Sequence, residues 1–534
     1  MKRILINTAF LALLAGGISS CKKQIADSYL NPDLTSTGSL SKLMSGMFFN
    51  PRIHPSYYDF ATFIMPTTAA FSQLTALSPT TLMYVPSINY NEARWDHYYD
   101  GSMPNPGQGN PDYNYNGPGI LSNYREMQTT YAALSPADQA KQMVFMQCAK
   151  VVLYDQTAQM IDLWGDIPFS KANSLNTASR SISSAPFDNA AALYDTLIAG
   201  LKDLNTWFAS ATLQPEIQST FTQQDIVLGG SLKGWQQYAN SLRLRLLMRI
   251  SYFDATTAQS QVTAMLADPN TYPLITDNKY NVLFTESPTP VKSDIHDALT
   301  SSPYAPAYLL DTIMVANGDP RTAILWDSVQ GQPYKGFPSN GSVSDYQNGG
   351  YATYDSATFF YNYNVPGVIF TAAEVSFLTA EANERWGAGS TPAATAYANG
   401  IAQSTAFYYG IYQSRVPKQG YAPPANAILT MPTATDISNY VSKVPYTGST
   451  QHKLSLIATQ NWINFFILQA GQAWAEIRRT GYPQLSFATG NYSGATTPPA
   501  RLLYPASEKL YNATNYGAVS GKDTRDTKIF WDVN

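Results

Sequence analysis

Two glutamates, Glu374 and Glu381, form the carboxylate pair whose spacing comes nearest to a hydrolytic acid/base centre in this 534-residue chain. They lie seven residues apart and therefore share one face of a predicted helix. Seven helical residues span about 10.5 Å, whereas the acid and base of a glycosidase lie roughly 5 to 9.5 Å apart. Both glutamates are embedded among Ala, Phe and Leu, so buried ion pairs between helices are favoured over catalysis. Arg245 and Arg249, four residues apart on another predicted helix, also share one face.

Other catalytic and metal-binding patterns are missing from the sequence. The histidines are widely separated, with no His-Glu-x-x-His and no Cys/His cluster. There is no Gly-x-Ser-x-Gly nucleophile turn and no phosphate-binding loop. The four histidines are His54, His97, His296 and His452. These absences predict a protein that uses no cofactor.

One segment, 112–117 (DYNYNG), matches the first half of a calcium-binding loop. Its twelfth position is Asn123 instead of Glu, Pro118 follows the glycine, and flanking helices are not evident from the sequence. A polar loop built on Asx-turns is the favoured interpretation. No metal site is therefore predicted.

Aromatic side chains with polar neighbours cluster between residues 91 and 115. Flat rings of Tyr and Trp can hold the apolar face of a sugar, while amides and carboxylates nearby bind its hydroxyl groups. The predicted ligand-binding residues are Trp95, Tyr98, Tyr99, Asn91, Asp96, Tyr113 and Tyr115. The alternative is that these aromatic residues pack the loops or face a partner protein, because interfaces are also rich in Tyr and Trp.

The N-terminus reads as a lipoprotein export signal. Lys2 and Arg3 precede an apolar run that is too short to span a bilayer, and residues 18–20 (ISS), with two small serines, lead into Cys21. We therefore expect residues 1–20 to be removed and Cys21 to be lipidated. An ordinary secretory signal with an incidental cysteine is the alternative. Cys148 lies in an apolar helical context, which predicts a buried, inert thiol.

Charge and composition narrow the range of partners. The formal net charge is -4, and it becomes more negative once Lys2 and Arg3 are removed, which argues against a nucleic-acid partner. No second long apolar stretch follows the leader, so lipid alone would tether the body to a membrane. Only 13% of the residues are charged, which is typical of exported proteins that handle neutral polar ligands and equally of loop-rich secreted folds.

The helical signals indicate a mostly α body with irregular connections. Ser135, Pro136 and Asp138 form a good helix opening, and Gly165 with Pro168 ends that helix. Region 84–124 is rich in Tyr, Asn, Gly and Pro and lacks apolar periodicity, which predicts a functional or disordered loop, as do 268–362 and 411–450. The predicted helices span 136–163, 188–204, 231–251, 371–386, 391–408 and 456–479.

Several strings, taken in chain order, resemble the SusD/RagB-like family of outer-membrane nutrient-binding lipoproteins. Each is weak alone, but their order is specific, and with the leader they cover most of the chain. Asn461 departs from the family's usual Lys at a position that looks structural. The strings are 162–169 (DLWGDIPF), Trp235 with 239–245 (ANSLRLR), 317–321 (NGDPR), 371–375 (TAAEV) with 380–382 (AEA), Tyr397 with 400–401 (GI), 460–462 (QNW) with 474–483 (WAEIRRTGYP), 501–505 (RLLYP) and 531–532 (WD).

The resemblance implies a single α-helical unit of tetratricopeptide-like helix pairs with a large irregular, loop-rich region. This replaces the two to four domains that length alone suggests, and it makes 21–534 one nutrient-binding domain after the leader 1–20. It also implies an outer-membrane lipoprotein facing the exterior, which acts as the lid of a SusC-like TonB-dependent transporter. The implied ligand is an oligosaccharide or a peptide. By their position in later loops, Tyr351 and Tyr354 become lesser candidates for ligand contact.

Such a lid makes and breaks no bond, so the protein is expected not to be an enzyme. Two alternatives stay open from the sequence: a cell-surface glycosidase, and a structural surface protein without a small ligand. A glycosidase would lose turnover when one carboxylate is changed. A lid would show affinity without turnover and would co-purify with a large barrel.

Overall fold

The computed structural model describes residues 39–533 apart from 56, 82, 86–87, 102–116, 175–183, 286–294, 418–427 and 489–493. The predicted leader, Cys21, Tyr113 and Tyr115 lie outside the described residues. Most of the described chain is helical, and its few strands are short. None of the described helices is both long enough and apolar enough to cross a membrane.

The helices occur throughout the described chain. In its first half they are α1 Leu40–Phe48, α2 Tyr57–Asp59, a π-helix Phe60–Ala69, α3 Ile88–Tyr99, α4 Ile120–Ala132, α5 Pro136–Trp164, α6 Ala190–Ser210, α7 Pro215–Gln224, α8 Leu232–Arg249 and α9 Ala255–Ala267. In its second half they are α10 His296–Ser301, a π-helix Tyr308–Val315, α11 Thr322–Leu325, α12 Val343–Asn348, a π-helix Ser356–Phe360, α13 Ala372–Trp386, α14 Ala393–Gln413, α15 Ala434–Lys443, α16 Thr450–Phe465, α17 Ala470–Thr480, α18 Ala506–Tyr511 and α19 Ala513–Tyr516.

Short 3-10 turns and two small sheets complete the described secondary structure. Each sheet is a single antiparallel pair: β1 pairs with β4 and β2 pairs with β3. The strands are β1 Val282–Phe284, β2 Trp326–Asp327, β3 Thr353–Tyr354 and β4 Gly367–Phe370, and the 3-10 turns are Asn278–Tyr280, Ile467–Gln469 and Ser520–Lys522.

The cap predicted for the helix that begins at Pro136 is confirmed, and a second cap, at Ser231, comes from the structure alone. The Ser135 hydroxyl accepts a hydrogen bond from the Asp138 amide at 3.2 Å, and Pro136 occupies the first position of α5. Ser231 caps α8 by accepting from the Gly234 amide at 2.9 Å. Each side chain satisfies one amide that the first helical turn leaves without an intrahelical partner, which marks where the helix begins.

The prediction of one helix over 456–479 is wrong, because the chain breaks at Phe466. This residue has a φ of 42°, separating α16 from α17. Its ring is fully buried, with the rings of Trp326 and Phe359 at 5.1 and 5.7 Å. Burial of this ring in an aromatic cluster offsets the cost of a left-handed backbone. Both helices turn an apolar face to the core. Their apolar residues therefore look like the periodicity of one continuous helix in the sequence.

Region 84–124 is also not the continuous loop that we predicted. It contains α3 and the start of α4. The buried side of α3 carries polar side chains, Asn91, Arg94 and His97, together with Trp95 and Tyr98. Polar residues on the inward face erase the apolar periodicity by which an amphipathic helix is recognised.

Helix pairs build the body: α6 packs with α8, and α13 packs with α14 and α16. One cluster of buried hydrophobic residues runs from Leu40 to Trp531, so the C-terminal tail belongs to the same core as the first helix. The Trp531 indole donates to Asp162 of α5 at 2.9 Å, and the Trp164 indole donates to the Leu503 carbonyl at 3.0 Å.

Buried ion pairs connect the central helices, as the sequence predicts for Glu374 and Glu381. Arg245 of α8 donates to both carboxylate oxygens of Glu374 on α13, at 2.5 and 2.6 Å. Arg479 of α17 donates to both oxygens of Glu381, at 2.8 and 2.5 Å. The two glutamates thus face guanidinium groups of other helices, and this interpretation of the pair is confirmed.

Removing one partner of such a pair should be costly. We expect Glu374→Ala to lower the free energy of unfolding by about 3–5 kcal/mol, because the Arg245 charge would remain buried without its bidentate partner. Urea denaturation followed by circular dichroism measures the change. Glu126→Ala, at an exposed position of α4, is the matched control and should shift stability by less than about 0.5 kcal/mol. Equal effects of the two changes would contradict a structural role for the pair.

Candidate ligand-binding site

A cleft of about 540 Å³ opens between four separate parts of the chain. Its walls come from the turn that follows the first π-helix, the start of the π-helix Tyr308–Val315, the loop 337–341 and the loop around residue 487. The described lining residues are Ala70, Gln73, Thr75, Ala76, Leu77, Pro79, Met83, Tyr84, Pro306, Ala307, Tyr308, Asp311, Thr312, Phe337, Pro338, Ser339, Asn340, Gly341, Ser486 and Ala488.

Backbone hydrogen bonds hold two of these walls together. The Phe337 amide donates to the Ala305 carbonyl at 2.7 Å, and the Ala307 amide donates to the Phe337 carbonyl at 2.9 Å. Gly336 allows this approach, because a Cβ at that position would lie 2.4 Å from the Cα atom of Ala307. The loop 337–341 is therefore fixed against the π-helix that carries Tyr308.

Three aromatic rings line the cleft with different exposure. Tyr308 is half-buried and lies 6.3 Å from the Trp462 ring. Phe337 is buried, with the Tyr351 ring 5.1 Å behind it. Tyr84 meets Phe487 edge-on at 5.5 Å, and burial raises the pKa of its hydroxyl to about 12. That hydroxyl therefore stays protonated at neutral pH and can donate a hydrogen bond to a ligand.

The polar groups of the cleft suit a neutral, hydroxyl-bearing ligand. Ser339 and Asn340 are exposed at the rim. The side-chain amide of Gln73 donates through Nε2 to the Ser486 carbonyl at 2.6 Å, which joins two walls of the cleft. Asp311 accepts from the Gly336 amide at 2.8 Å, and burial raises the pKa of its carboxyl. Among the described lining residues Asp311 is the one carboxyl, whereas glycoside hydrolysis normally uses two.

The structure corrects the expectation of an exposed aromatic platform at Trp95. This residue is 2% exposed and lies edge-on to the Trp164 ring at 5.2 Å. Tyr98 is fully buried, and its hydroxyl pairs with the Thr157 hydroxyl at 2.6 Å. Asn91 is buried as well. The physical reason is that α3 turns these side chains toward α5, where large aromatic rings supply the core with apolar area.

At the edge of that cluster, Tyr99 and Asp96 line a smaller cavity of about 250 Å³, and Trp95 borders it as well. The Tyr99 hydroxyl donates to the Pro168 carbonyl at 2.7 Å. Burial, followed by the charges of Asp100, Glu92 and Glu508, raises the pKa of the Asp96 carboxyl to about 8. Ligand contact at Trp95, Tyr99 and Asp96 stays a prediction, as it does for Tyr113 and Tyr115, which lie outside the described residues.

The SusD-like family described as "Starch-binding associating with outer membrane" matches residues 48–505. The chain belongs to this SusD-like family. The resemblance inferred from the ordered sequence strings is therefore confirmed. No match is found among curated proteins.

Solved SusD-like structures share the fold of this chain. A chitin-binding protein superposes with a TM-score of 0.70 at 20% identity, covering 93% of this chain and 100% of that one. A chitin-binding SusD homolog from Flavobacterium johnsoniae gives 0.68 at 21%, covering 93% and 99%. A SusD homolog from Parabacteroides distasonis gives 0.70 at 19%, covering 93% and 98%. These likenesses confirm the mainly α fold with tetratricopeptide-like helix pairs.

In this SusD-like protein, the two lesser candidates for ligand contact, Tyr351 and Tyr354, lie behind the cleft instead of lining it. Tyr351 packs against Phe337, and Tyr354 is fully buried with its ring 4.8 Å from that of Trp326. Sequence reasoning missed Tyr308, Asp311 and the other lining residues of the cleft. The one available signal was the turn-forming string 336–341 (GFPSNG), in which an aromatic residue precedes exposed polar ones.

The raised pKa of Asp96 has a consequence for stability. Its folded value of about 8 lies above that of an unfolded aspartate, so the folded state binds the proton more tightly and loses stability as pH rises from about 4 to 8. Asp96→Asn mimics the protonated form. We expect this variant to match the wild type near pH 4 and to exceed its stability by roughly 1–3 kcal/mol at pH 8.

Urea titrations at the two pH values measure this difference. The control is Asp526→Asn, because the Asp526 side chain is 88% exposed. Its free energy of unfolding should differ from that of the wild type by the same amount at both pH values. An Asp96→Asn variant with no pH-dependent gain would show that the Asp96 carboxyl ionises normally.

Proposed function

We propose that the protein is an outer-membrane lipoprotein that binds an oligosaccharide and serves as the lid of a SusC-like TonB-dependent transporter. The observation that carries the proposal is the cleft of about 540 Å³, in a chain whose family is described as starch-binding. Similar structures include proteins named as chitin-binding, which supports a glycan as the ligand class. A peptide is the alternative ligand class.

The walls of the cleft match the surface of a sugar. A pyranose ring has apolar faces edged by hydroxyl groups, and the half-buried Tyr308 ring with Met83 offers an apolar contact for such a face. Asn340, Ser339 and the Asp311 carboxyl can exchange hydrogen bonds with the hydroxyl edge. Because few of these groups carry charge, a neutral oligosaccharide fits better than an anionic one.

The lid role makes the protein a binder and not an enzyme. Cys21, once lipidated, would hold the chain at the outer membrane facing the exterior. A tethered lid meets its barrel at a high effective concentration, so a weak lid–barrel contact is sufficient for repeated opening and closing. The ligand would be held between lid and barrel, and no bond of the ligand would be broken.

Tyr308→Ala tests the cleft. We expect the change to weaken oligosaccharide binding about tenfold or more, because it removes the aromatic contact for a sugar face. Isothermal titration with α-glucan and chitin oligosaccharides, and with a peptide pool in parallel, measures affinity and ligand class. Tyr280→Ala is the matched control, since that tyrosine is 40% exposed and lies outside the cleft.

Unchanged affinity of the Tyr308→Ala variant, with its thermal unfolding also unchanged, would remove the cleft as the binding site. Release of shorter sugars during the titration would instead favour the glycosidase. If neither glycans nor peptides bind, a structural surface protein becomes the better explanation.

The lid role is tested by purifying the tagged full-length protein from its native membrane in mild detergent. We expect a barrel protein of transporter size to co-purify in a near-stoichiometric amount. Cys21→Ala should release the protein from the membrane fraction, since two apolar lipid chains supply most of the anchoring. Cys148→Ala, at the buried cysteine, is the control and should stay in the membrane. Recovery of the protein alone, with other membrane complexes intact, would contradict the lid.

A further inference from the structure

A third and much smaller cavity, of about 80 Å³, is lined by Arg52, Arg94 and the beginning of α17. It is separate from the ligand cleft, with which it shares no lining residue. Both arginines are nearly buried, at 4% and 8% exposure. Charged groups at such depth normally have a counter-charge or a full set of hydrogen bonds. Within the described chain neither arginine has a full set of hydrogen bonds, and the two share the charge of one carboxylate, Asp59.

The hydrogen bonds of the two guanidinium groups leave donors unused. Arg52 donates through Nε to Gln156 at 3.1 Å and through Nη1 to the Arg94 carbonyl at 2.8 Å. Arg94 donates through Nη1 to the Pro51 carbonyl at 3.2 Å and through Nη2 to the Arg52 carbonyl at 3.3 Å. Arg52 Nη2 and Arg94 Nε have no acceptor among the described residues. All the acceptors are neutral.

The local charge is also unbalanced. Burial lowers the pKa of both arginines, of Arg94 to about 10, and Asp59 is the carboxylate that opposes this effect on each. Asp59 is also engaged by His97, whose Nδ1 lies 3.5 Å from its carboxylate. Two guanidinium groups and one carboxylate leave one positive charge, even with His97 counted as neutral. A buried excess charge of this kind favours a bound anion.

One acidic residue, Asp162, lines the cavity, but its carboxylate interacts with other side chains. It accepts from the Tyr194 hydroxyl at 2.5 Å and from the Trp531 indole at 2.9 Å, and it lies 3.7 Å from Arg249. It therefore belongs to the ion network of α8 and does not neutralise Arg52 or Arg94.

The beginning of α17 adds a second positive element to the same cavity. Ala470, Gly471 and Gln472, the first residues of this 11-residue helix, line it. The residue before them, Gln469, provides no side-chain cap. The amides of a first helical turn carry partial positive charge and commonly bind anions.

We propose that this cavity binds a small monovalent anion, of the size of chloride, between Arg52, Arg94 and the N-terminus of α17. Its volume holds only a few water-sized particles, which excludes a sugar or a phosphate ester. The anion accepts from the unused guanidinium N–H groups and cancels the excess charge. It thereby ties the segment 50–55, α3 and α17 together, and it acts independently of any ligand in the cleft.

The test combines diffraction with solution stability. Crystals of the protein grown in bromide, measured at the bromine absorption edge, should show an anomalous peak within hydrogen-bonding distance of both arginines. In solution, thermal unfolding in chloride is compared with unfolding in gluconate, an anion too large for the cavity, at equal ionic strength. Above the dissociation constant, each tenfold rise in chloride should multiply the folded-to-unfolded ratio about tenfold.

Arg94→Gln removes one donor and one charge, and it should abolish the chloride dependence. Lys202→Gln, at an exposed position of α6, makes the same charge change away from the cavity and should retain the dependence. If Arg94→Gln does not fold, the wild-type chloride and bromide measurements decide alone. Water in the cavity without an anomalous peak would overturn the proposal. So would an adventitious ion only, seen as a bromide peak without any chloride-specific stabilisation.

Discussion

Buried ion pairs between α8, α13 and α17 constrain how the helical body packs. Charged side chains with almost no exposure must satisfy one another, and here two bidentate pairs, Arg245 with Glu374 and Arg479 with Glu381, fix three helices relative to each other. Arg249 extends the network to Glu476 of α17 at 3.0 Å. Because such pairs tolerate little displacement, the helices cannot slide past one another as purely apolar faces can.

The position of α17 has consequences on both sides of the break at Phe466. On one side, the buried Phe466 ring orders the aromatic cluster around Trp326, and Tyr354 from the same cluster donates its hydroxyl to the Leu74 carbonyl at 3.0 Å. That contact supports the turn that forms one wall of the ligand cleft. On the other side, the uncapped start of α17 lines the same small cavity as Arg94. Phe466 thus lies between the aromatic cluster that supports the cleft and the helix terminus that lines the small charged cavity.

The candidate site shows where reasoning from residue types fails. Trp95 and Tyr98 had the composition of a sugar platform, but α3 turns them inward, because rings of that size stabilise most when they are buried. The residues that do line the cleft, among them Tyr308, Asp311 and Asn340, come from loops far apart in sequence. Nothing in the spacing of those loops indicates that they meet, since the hydrogen bonds between residues 305–307 and 337 arise only after folding.

The helical class, the beginning of the long helix at Pro136, the pairing role of Glu374 and Glu381, and the family could all be read from residue types and from strings whose order is specific. Those features depend on local propensity, caps and periodicity, which a short window contains. The break at Phe466, the burial of Trp95 and the assembly of the cleft became visible in the folded chain alone. Each of these depends on contacts between distant segments, whose free energy is not encoded in any one of them.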